Sequence, residues 1–398
     1  MSRARSLALA ALLLLPPVHA AGQATSSDPA ALLMFPYVTV DRAAAVDTLV
    51  QITNAANLPV GVHCVYYDAA SASASTAFAF RLTPRQPTAW RLGVGGDVGL
   101  EGGTIPPLTG ATRHGVLDCF AVGDDGAPTG TDVLVGAATV EYGGEAAAVD
   151  AARYNALGLP VTEIGPDADD VLKLGGATGE YAGCPAAAAL PVLLDGAIVA
   201  FGAGGTTEHV LSSTLIVATC SQAAAGVTVA VEIALTNEFG QQFTVTREVQ
   251  SQLRVPFSAI DTNVPAQSFF NVASQGSASG TLRVTPADGA ASGVVALALA
   301  AHTSADESRV HRAIIAPRLI AAFEGQEQID TTLPAPACAG DCNANGAVAI
   351  NELIVGVNIA LGNQAPATCP AFDLNSNGSV AINELIAAVG RALSGCEG

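Results

Sequence analysis

The stretch Val227-Thr-Val-Ala-Val-Glu-Ile-Ala-Leu-Thr236 decides the fold class. Val227, Val229, Val231, Ile233 and Leu235 alternate with Thr228, Ala230, Glu232, Ala234 and Thr236. A period of two puts every apolar residue on one face of an extended chain, the mark of a half-buried strand. The same pattern recurs at Leu32–Val40, Asp47–Thr53, Val60–Tyr67, Ala77–Leu82, Val116–Ala121, Val133–Tyr142, Gln242–Val249, Leu253–Phe257, Thr281–Thr285 and Val294–Ala300. Turn chemistry separates these runs at Asn57-Leu58-Pro59, Asp124-Asp125-Gly126 and Asp288-Gly289. Short strands at this spacing predict antiparallel β-sandwiches, Ig-like or jelly-roll-like. A short helix is expected at Ala146–Ala156.

Two halves of this region read as related units. Thr53-Asn54, six residues before Val60-Gly-Val62, parallels Thr236-Asn237 before Phe243-Thr-Val245. Gly115-Val-Leu117, Asp125-Gly126-Ala127 and Val133–Ala138 parallel Gly280-Thr-Leu282, Asp288-Gly289-Ala290 and Val294–Ala301. The expected division is sandwich one at 31–165, a connector at 166–199, sandwich two at 200–325 and a Thr/Pro-rich linker at 326–337, with one large split sandwich as the alternative.

Composition narrows the function classes. Among 398 residues, 16 Lys+Arg face 35 Asp+Glu, a formal charge of −19, and Lys173 is the only lysine. Phosphate contacts need clustered basic residues, so nucleic-acid binding is excluded. Half of the residues are apolar and 13% are charged, which excludes an acidic disordered chain. Aromatics are 5% with one tryptophan, Trp90, so little stands ready to stack on sugars or bases.

Arg3 and Arg5, the Leu/Ala run Leu7–Leu15 and Val18-His19-Ala20 predict a cleaved secretory signal over 1–20, leaving a mature charge of −21 (14 minus 35). Pro185–Phe201 is long and apolar but holds Pro191 and Asp195, so it is read as a buried strand pair or connector, not a membrane span. The expected location is secreted, periplasmic or cell-surface. Eight cysteines fit an oxidising compartment, and no Cys-x-x-Cys pair or accompanying His supports zinc. The expected disulfides are Cys64–Cys119, Cys184–Cys220, Cys338–Cys396 and Cys342–Cys369.

The C-terminal tail carries the one strong motif. Asp341-Cys-Asn343-Ala-Asn345-Gly346-Ala347 through Glu352, and Asp373-Leu-Asn375-Ser-Asn377-Gly378-Ser379 through Glu384, are twelve-residue loops 32 residues apart. Each matches the EF-hand pattern: oxygen side chains at positions 1, 3 and 5, Gly at 6, a backbone carbonyl at 7 and a bidentate Glu at 12. The predicted ligands of two calcium ions are Asp341, Asn343, Asn345, Ala347 and Glu352, then Asp373, Asn375, Asn377, Ser379 and Glu384. Val348 and Val380, at position 8, are expected to link the loops as a short ladder. The heptapeptide Val-Ala-Ile-Asn-Glu-Leu-Ile recurs unchanged at 348–354 and 380–386. Leu353, Ile354, Val357, Ala360 and Leu361, and Leu385, Ile386, Val389, Ala392 and Leu393, are read as the apolar helix faces. Two carboxylates per loop predict weak calcium affinity, roughly 10⁻⁴ to 10⁻³ M.

On these loops and helices, residues 338–398 resemble a type I dockerin. The resemblance implies a compact calcium-folded pair that docks on a cohesin-like or other envelope protein. It departs from the pattern in two places. Position 12 is Glu rather than Asp, and positions 10 and 11 are Ile350-Asn351 and Ile382-Asn383 rather than a Ser/Thr pair. Similar tails occur on secreted bacterial proteins without cellulosomes, and the Ala/Gly/Arg bias points to a bacterium of high GC content.

No hydrolase, metalloprotease, phosphate-loop or dinucleotide motif is present in the sequence. His63 and His302 are read as structural. The acid pairs Asp124-Asp125 and Asp169-Asp170 are read as solvated turns. The sequence therefore predicts a non-enzymatic adhesion, display or assembly protein with a calcium-binding tail. The alternative is a polysaccharide-binding or glycoside-hydrolysing protein tethered through that tail. A concave face carrying Trp90 with Tyr66 or Tyr67 and two facing carboxylates would favour the alternative.

Overall fold

The computed structural model describes residues 24–69, 73–97, 103–143, 150–201, 207–222, 228–287, 289–304, 310–331, 338–342, 347–365, 368–372 and 379–395. The signal-like segment 1–20 lies outside them.

The first eleven strands are β1 (Leu32–Asp41), β2 (Val46–Asn54), β3 (Val60–Asp68), β4 (Ser73–Leu82), β5 (Pro87–Arg91), β6 (Gly96–Asp97), β7 (Thr104–Ile105), β8 (Thr112–Val122), β9 (Leu134–Tyr142), β10 (Asp150–Asn155) and β11 (Leu157–Leu159). Nine of them form one antiparallel sheet in two layers. One layer runs β4-β3-β8-β1-β11 and the other β10-β9-β2-β5. They join at a single residue pair, Asp41 with Val46. Between the layers lie Phe35, Ile52, Val62, Phe80, Trp90, Leu117 and Leu134, all buried. Residues 150–155, expected as a helix, form β10. Ala152 and Tyr154 alternate inward there, and pairing with β9 takes their backbone groups.

Strand β12 (Val171–Leu174) follows. Then come β13 (Pro185–Leu193), β14 (Ile198–Phe201), β15 (Thr207–Thr219), β16 (Thr228–Asn237), β17 (Gln242–Gln250), β18 (Gln252–Pro256), the short helix α1 (Val272–Gln275), β19 (Ser279–Pro286), β20 (Val294–Ser304), β21 (Val310–Ile315), β22 (Arg318–Ala322) and β23 (Glu327–Asp330). One sheet is β17-β16-β19-β13-β22, and the other is β14-β15-β20-β21 with β18 on β15. In β16 the alternation is realised as read: Val229, Val231, Ile233 and Leu235 are buried, while Thr228, Glu232 and Thr236 are exposed.

The two sandwiches have the same strand order. Matching β1 to β13, β2 to β15, β3 to β16, β4 to β17, β5 to β18, β8 to β19, β9 to β20, β10 to β21 and β11 to β22 reproduces both layers pair for pair. The parallels of Gly115-Val-Leu117 with Gly280-Thr-Leu282, and of the strands that follow, fall on these equivalents. Thr53-Asn54 and Thr236-Asn237 do not. They end β2 and β16, which occupy different layers. Each asparagine holds a local turn, its Oδ1 accepting from Ala56 N–H or from Phe239 and Gln241 N–H, so similar turn chemistry produced the match.

Strand pairing crosses the ranges read as connector and linker. Strand β13 sits between β19 and β22 in the second sandwich. Strand β12 pairs with β23 along four residues. This ribbon lies against the outer face of the first sandwich, where Leu32, Met34, Val65, Tyr67, Val116 and Phe120 pack with Leu172, Leu174, Tyr181, Val295 and Ile329. Strand β1 is therefore buried on both faces. Its Pro36 lacks an N–H, and the register with β8 breaks between Phe35 and Val38. The side-chain amide of Gln252, from the second sandwich, donates to the Pro36 and Gly115 carbonyls at 2.7 Å each.

Cys64–Cys119, Cys184–Cys220 and Cys342–Cys369 are disulfide-bonded, as expected. Cys338 is also disulfide-bonded. Its expected partner Cys396 lies outside the described residues. Among the described residues no helix is long and apolar enough to cross a membrane.

Candidate functional site

The tail contributes two helices, α2 (Ile350–Ala360) and α3 (Ile382–Ser394). They pack around Phe372, Ile359, Cys369, Val380 and Ala388. Gly356 makes this possible, because a Cβ there would stand 2.3 Å from the Phe372 ring. The Cys342–Cys369 bond ties the start of the first loop to the chain just before the second.

Each helix begins with a buried glutamate. Glu352 is 3% exposed, and its Oε2 accepts from Ala349 N–H at 2.8 Å. Its Oε1 accepts from Cys342 N–H at 2.9 Å. The carboxylate at position 12 thus lies over position 2 of its own loop, beside Asp341, which is also buried. Glu384, 2% exposed, repeats the first contact, accepting from Ala381 N–H at 2.8 Å. Both carboxylates also favour the positive end of the helix they begin. Of the other predicted ligands, Ala347 and Ser379 are exposed in the described chain. Asn343, Asn345, Asp373, Asn375 and Asn377 lie outside the described residues. Val348 and Val380 are buried in the tail core, and among the described residues no β-bridge joins them.

The helix faces differ from expectation. Ile354, Val357 and Leu361 are exposed, as are Ile386, Val389 and Leu393. With Ile350 and Ile382 they form two matching stripes at i, i+4, i+7 and i+11, each residue 44% to 85% exposed. The buried residues of α2 are Glu352, Gly356 and Ile359, while Leu353 and Val355 are half-buried. Helical spacing alone cannot say which of two apolar arcs meets the core. The signal that could have told them apart is Gly356, which marks the face of close approach.

In the body, Trp90 packs edge-on against Phe78 and Phe80 inside the first sandwich. Tyr66 and Tyr67 are fully buried, and the Tyr67 hydroxyl donates to the Asp330 carbonyl at 2.7 Å. These three rings form no open sugar platform. The acid pairs stay apart as well. Asp124 pairs with Arg81, while Asp125 closes its own turn by accepting from Ala127 N–H. His63 stacks on Phe120 at 5.1 Å, and burial pulls its pKa down. His302 stacks on His311 at 5.1 Å.

Sequence reading missed three charged sites. Lys173 sets its ammonium among Asp167, Asp169 and Glu180 at 2.8, 3.1 and 2.9 Å, so the one lysine fills an acidic cluster that would otherwise suit a metal. Glu327, 1% exposed, accepts from Cys184 N–H, Gly293 N–H and the Ser292 hydroxyl. Burial pushes its pKa up to about 6 despite these donors. Asp118, wholly buried on β8, has no hydrogen-bond partner on either oxygen among the described residues, and desolvation pushes its pKa well above its ordinary value.

No protein-family model matches this chain. No curated protein matches it either. Among solved structures it is similar to one titled "Crystal Structure of Thermotoga maritima 1070", at 12% identity over 36% of this chain and 97% of that one. The TM-score of 0.22 is too low for that likeness to carry an argument.

Proposed function

We propose that this is an exported, non-enzymatic bacterial protein of the adhesion, display or assembly kind, whose dockerin-like tail binds two calcium ions and docks on an envelope partner. One observation carries the reading: two buried glutamates at position 12 of two EF-hand-like loops start two helices that turn matching apolar stripes outward. A module with so small a core gains nothing by burying carboxylates unless they are paired or hold a cation. Carboxylate and carbonyl oxygens are the donor set calcium prefers. Docking makes use of the stripes, since exposed contiguous apolar surface marks interaction sites. Calcium would fix the angle between α2 and α3 and so bring the stripes into one face. Three disulfides accord with a compartment outside the cytoplasm.

Pull-down from the native cell envelope tests this reading. A partner captured with calcium and released by chelator is expected. Capture should also fail with Ile354→Asp/Ile386→Asp, a variant that keeps its calcium sites. Capture indifferent to both treatments would sink the docking role.

A further inference from the structure

We propose that a cleft between the two sandwiches binds a sugar acid, a small ring carrying one carboxylate and several hydroxyls. The cleft holds about 280 Å³ and is bordered by Tyr37 of β1, Tyr142 of β9, Thr214 of β15, Arg254 of β18, Arg312 of β21 and Asp41 at the end of β1. In a chain so poor in basic residues, two arginines from different strands converge here, each over a tyrosine. The Arg312 guanidinium lies 4.1 Å from the Tyr142 ring centroid, and that of Arg254 lies 5.8 Å from Tyr37.

The two arginines are not equivalent. Asp150 neutralises Arg312, its Oδ2 accepting from Nη1 at 3.0 Å and its Oδ1 from the Arg312 backbone N–H at 3.2 Å. Among the described residues Arg254 has no hydrogen bond or ion pair. Its planar fork suits a carboxylate, which it would hold through two parallel N–H donors. Two further groups are unfilled. Among the described residues, the Tyr142 hydroxyl is buried without a hydrogen-bond partner and the Thr214 hydroxyl has none either. Across the cleft, Asp41 uses Oδ1 to accept from Ala43 and Ala44 N–H, which leaves Oδ2 open to a ligand hydroxyl. One fork for an anion, two hydroxyls and one carboxylate acceptor match a polyhydroxylated acid. A bare phosphate would meet Asp41 as a like charge.

This site is independent of the calcium tail, so its test is separate. Calorimetric titration of the full mature chain uses glucuronate, an oligouronide, glucose, serine and inorganic phosphate as probes. Glucuronate should bind at least about tenfold more tightly than glucose, the worth of one charge-assisted contact. Arg254→Gln should lower glucuronate affinity by about tenfold, while Arg153→Gln on β10, outside the cleft lining, should leave it unchanged. Circular dichroism confirms that both variants fold. Binding of the oligouronide as well would extend the site to a polymer; its failure with the monomer intact would limit the ligand to the free sugar acid. Absence of glucuronate binding, equal binding of glucose, tighter binding of serine or phosphate, or indifference to Arg254→Gln would overturn the proposal.

Discussion

The body and the tail are both built from a doubled unit, and they dispose of apolar side chains in opposite ways. In the body the repeat survives as strand order, and its apolar residues point inward, so far that β1 is buried on both faces. In the tail the repeat survives as seven identical residues, and much of its apolar surface points outward. A sheet face can be filled by many residue combinations as long as volume and alternation hold, so the two sandwiches share a topology with little shared sequence. A loop that holds an ion and a helix that presents a stripe both depend on particular residues at particular positions. On the reading proposed above, the tail is the calcium-dependent docking surface, and the body is the scaffold that carries the cleft.

The largest expected effect contrasts the two kinds of apolar residue. Phe35→Ala, at a fully buried site between the layers, should cost about 3–5 kcal/mol in denaturant unfolding. Ile354→Ala, 56% exposed on α2, should stay within about 0.5 kcal/mol. Similar costs at both positions would break the comparison.

Next comes the tail's own staple. Cys342→Ser/Cys369→Ser removes a link across 27 positions, worth about 3–4 kcal/mol by chain entropy. The tail should then need more calcium to resist proteolysis, with the body transition unmoved. A shift in the body transition would show that the regions are coupled.

The body should also carry a pH signature. Glu327 has its folded pKa raised to about 6 from an ordinary 4.5. Its neutral form is the one favoured by folding, so stability is full below pH 4.5 and falls by about 2 kcal/mol as pH rises to 6. Asp118, also raised by burial, gives the same sign. Glu327→Gln should flatten the slope between pH 4.5 and 6, whatever it does to absolute stability. An unchanged slope would remove Glu327 as its source.

An effect of similar size sharpens how the sandwiches hold together. Gln252→Leu leaves the Pro36 and Gly115 carbonyls without their donor and should cost about 1–3 kcal/mol. The loss should appear as reduced cooperativity between the sandwiches.

Much of the fold was legible because alternation is local. All eleven of the period-two runs named above became strands, from β1 to β20. The longest strand, β15, was not read. Its stretch His209-Val-Leu-Ser-Ser-Thr-Leu-Ile-Val breaks alternation because β15 packs on both faces near its end, with Leu215 and Val217 inward and Ile216 and Ala218 toward the first sandwich. The helix expected near Ala146 failed for a related reason: alanine runs favour helix, yet strand pairing decided 150–155. At the tail, Asp341, Glu352 and Glu384, singled out by loop spacing, are buried, but spacing could not orient the helices. The cleft with Arg254 and Arg312 was invisible because its residues come from strands as far apart in sequence as β1 and β21.

The most direct test of the central claim is calorimetric titration of the protein with calcium. The account predicts two ions bound at roughly 10⁻⁴ to 10⁻³ M. Glu352→Gln and Glu384→Gln should each remove one site, leaving a single ion bound. No calcium-dependent heat, or two sites indifferent to both substitutions, would contradict it.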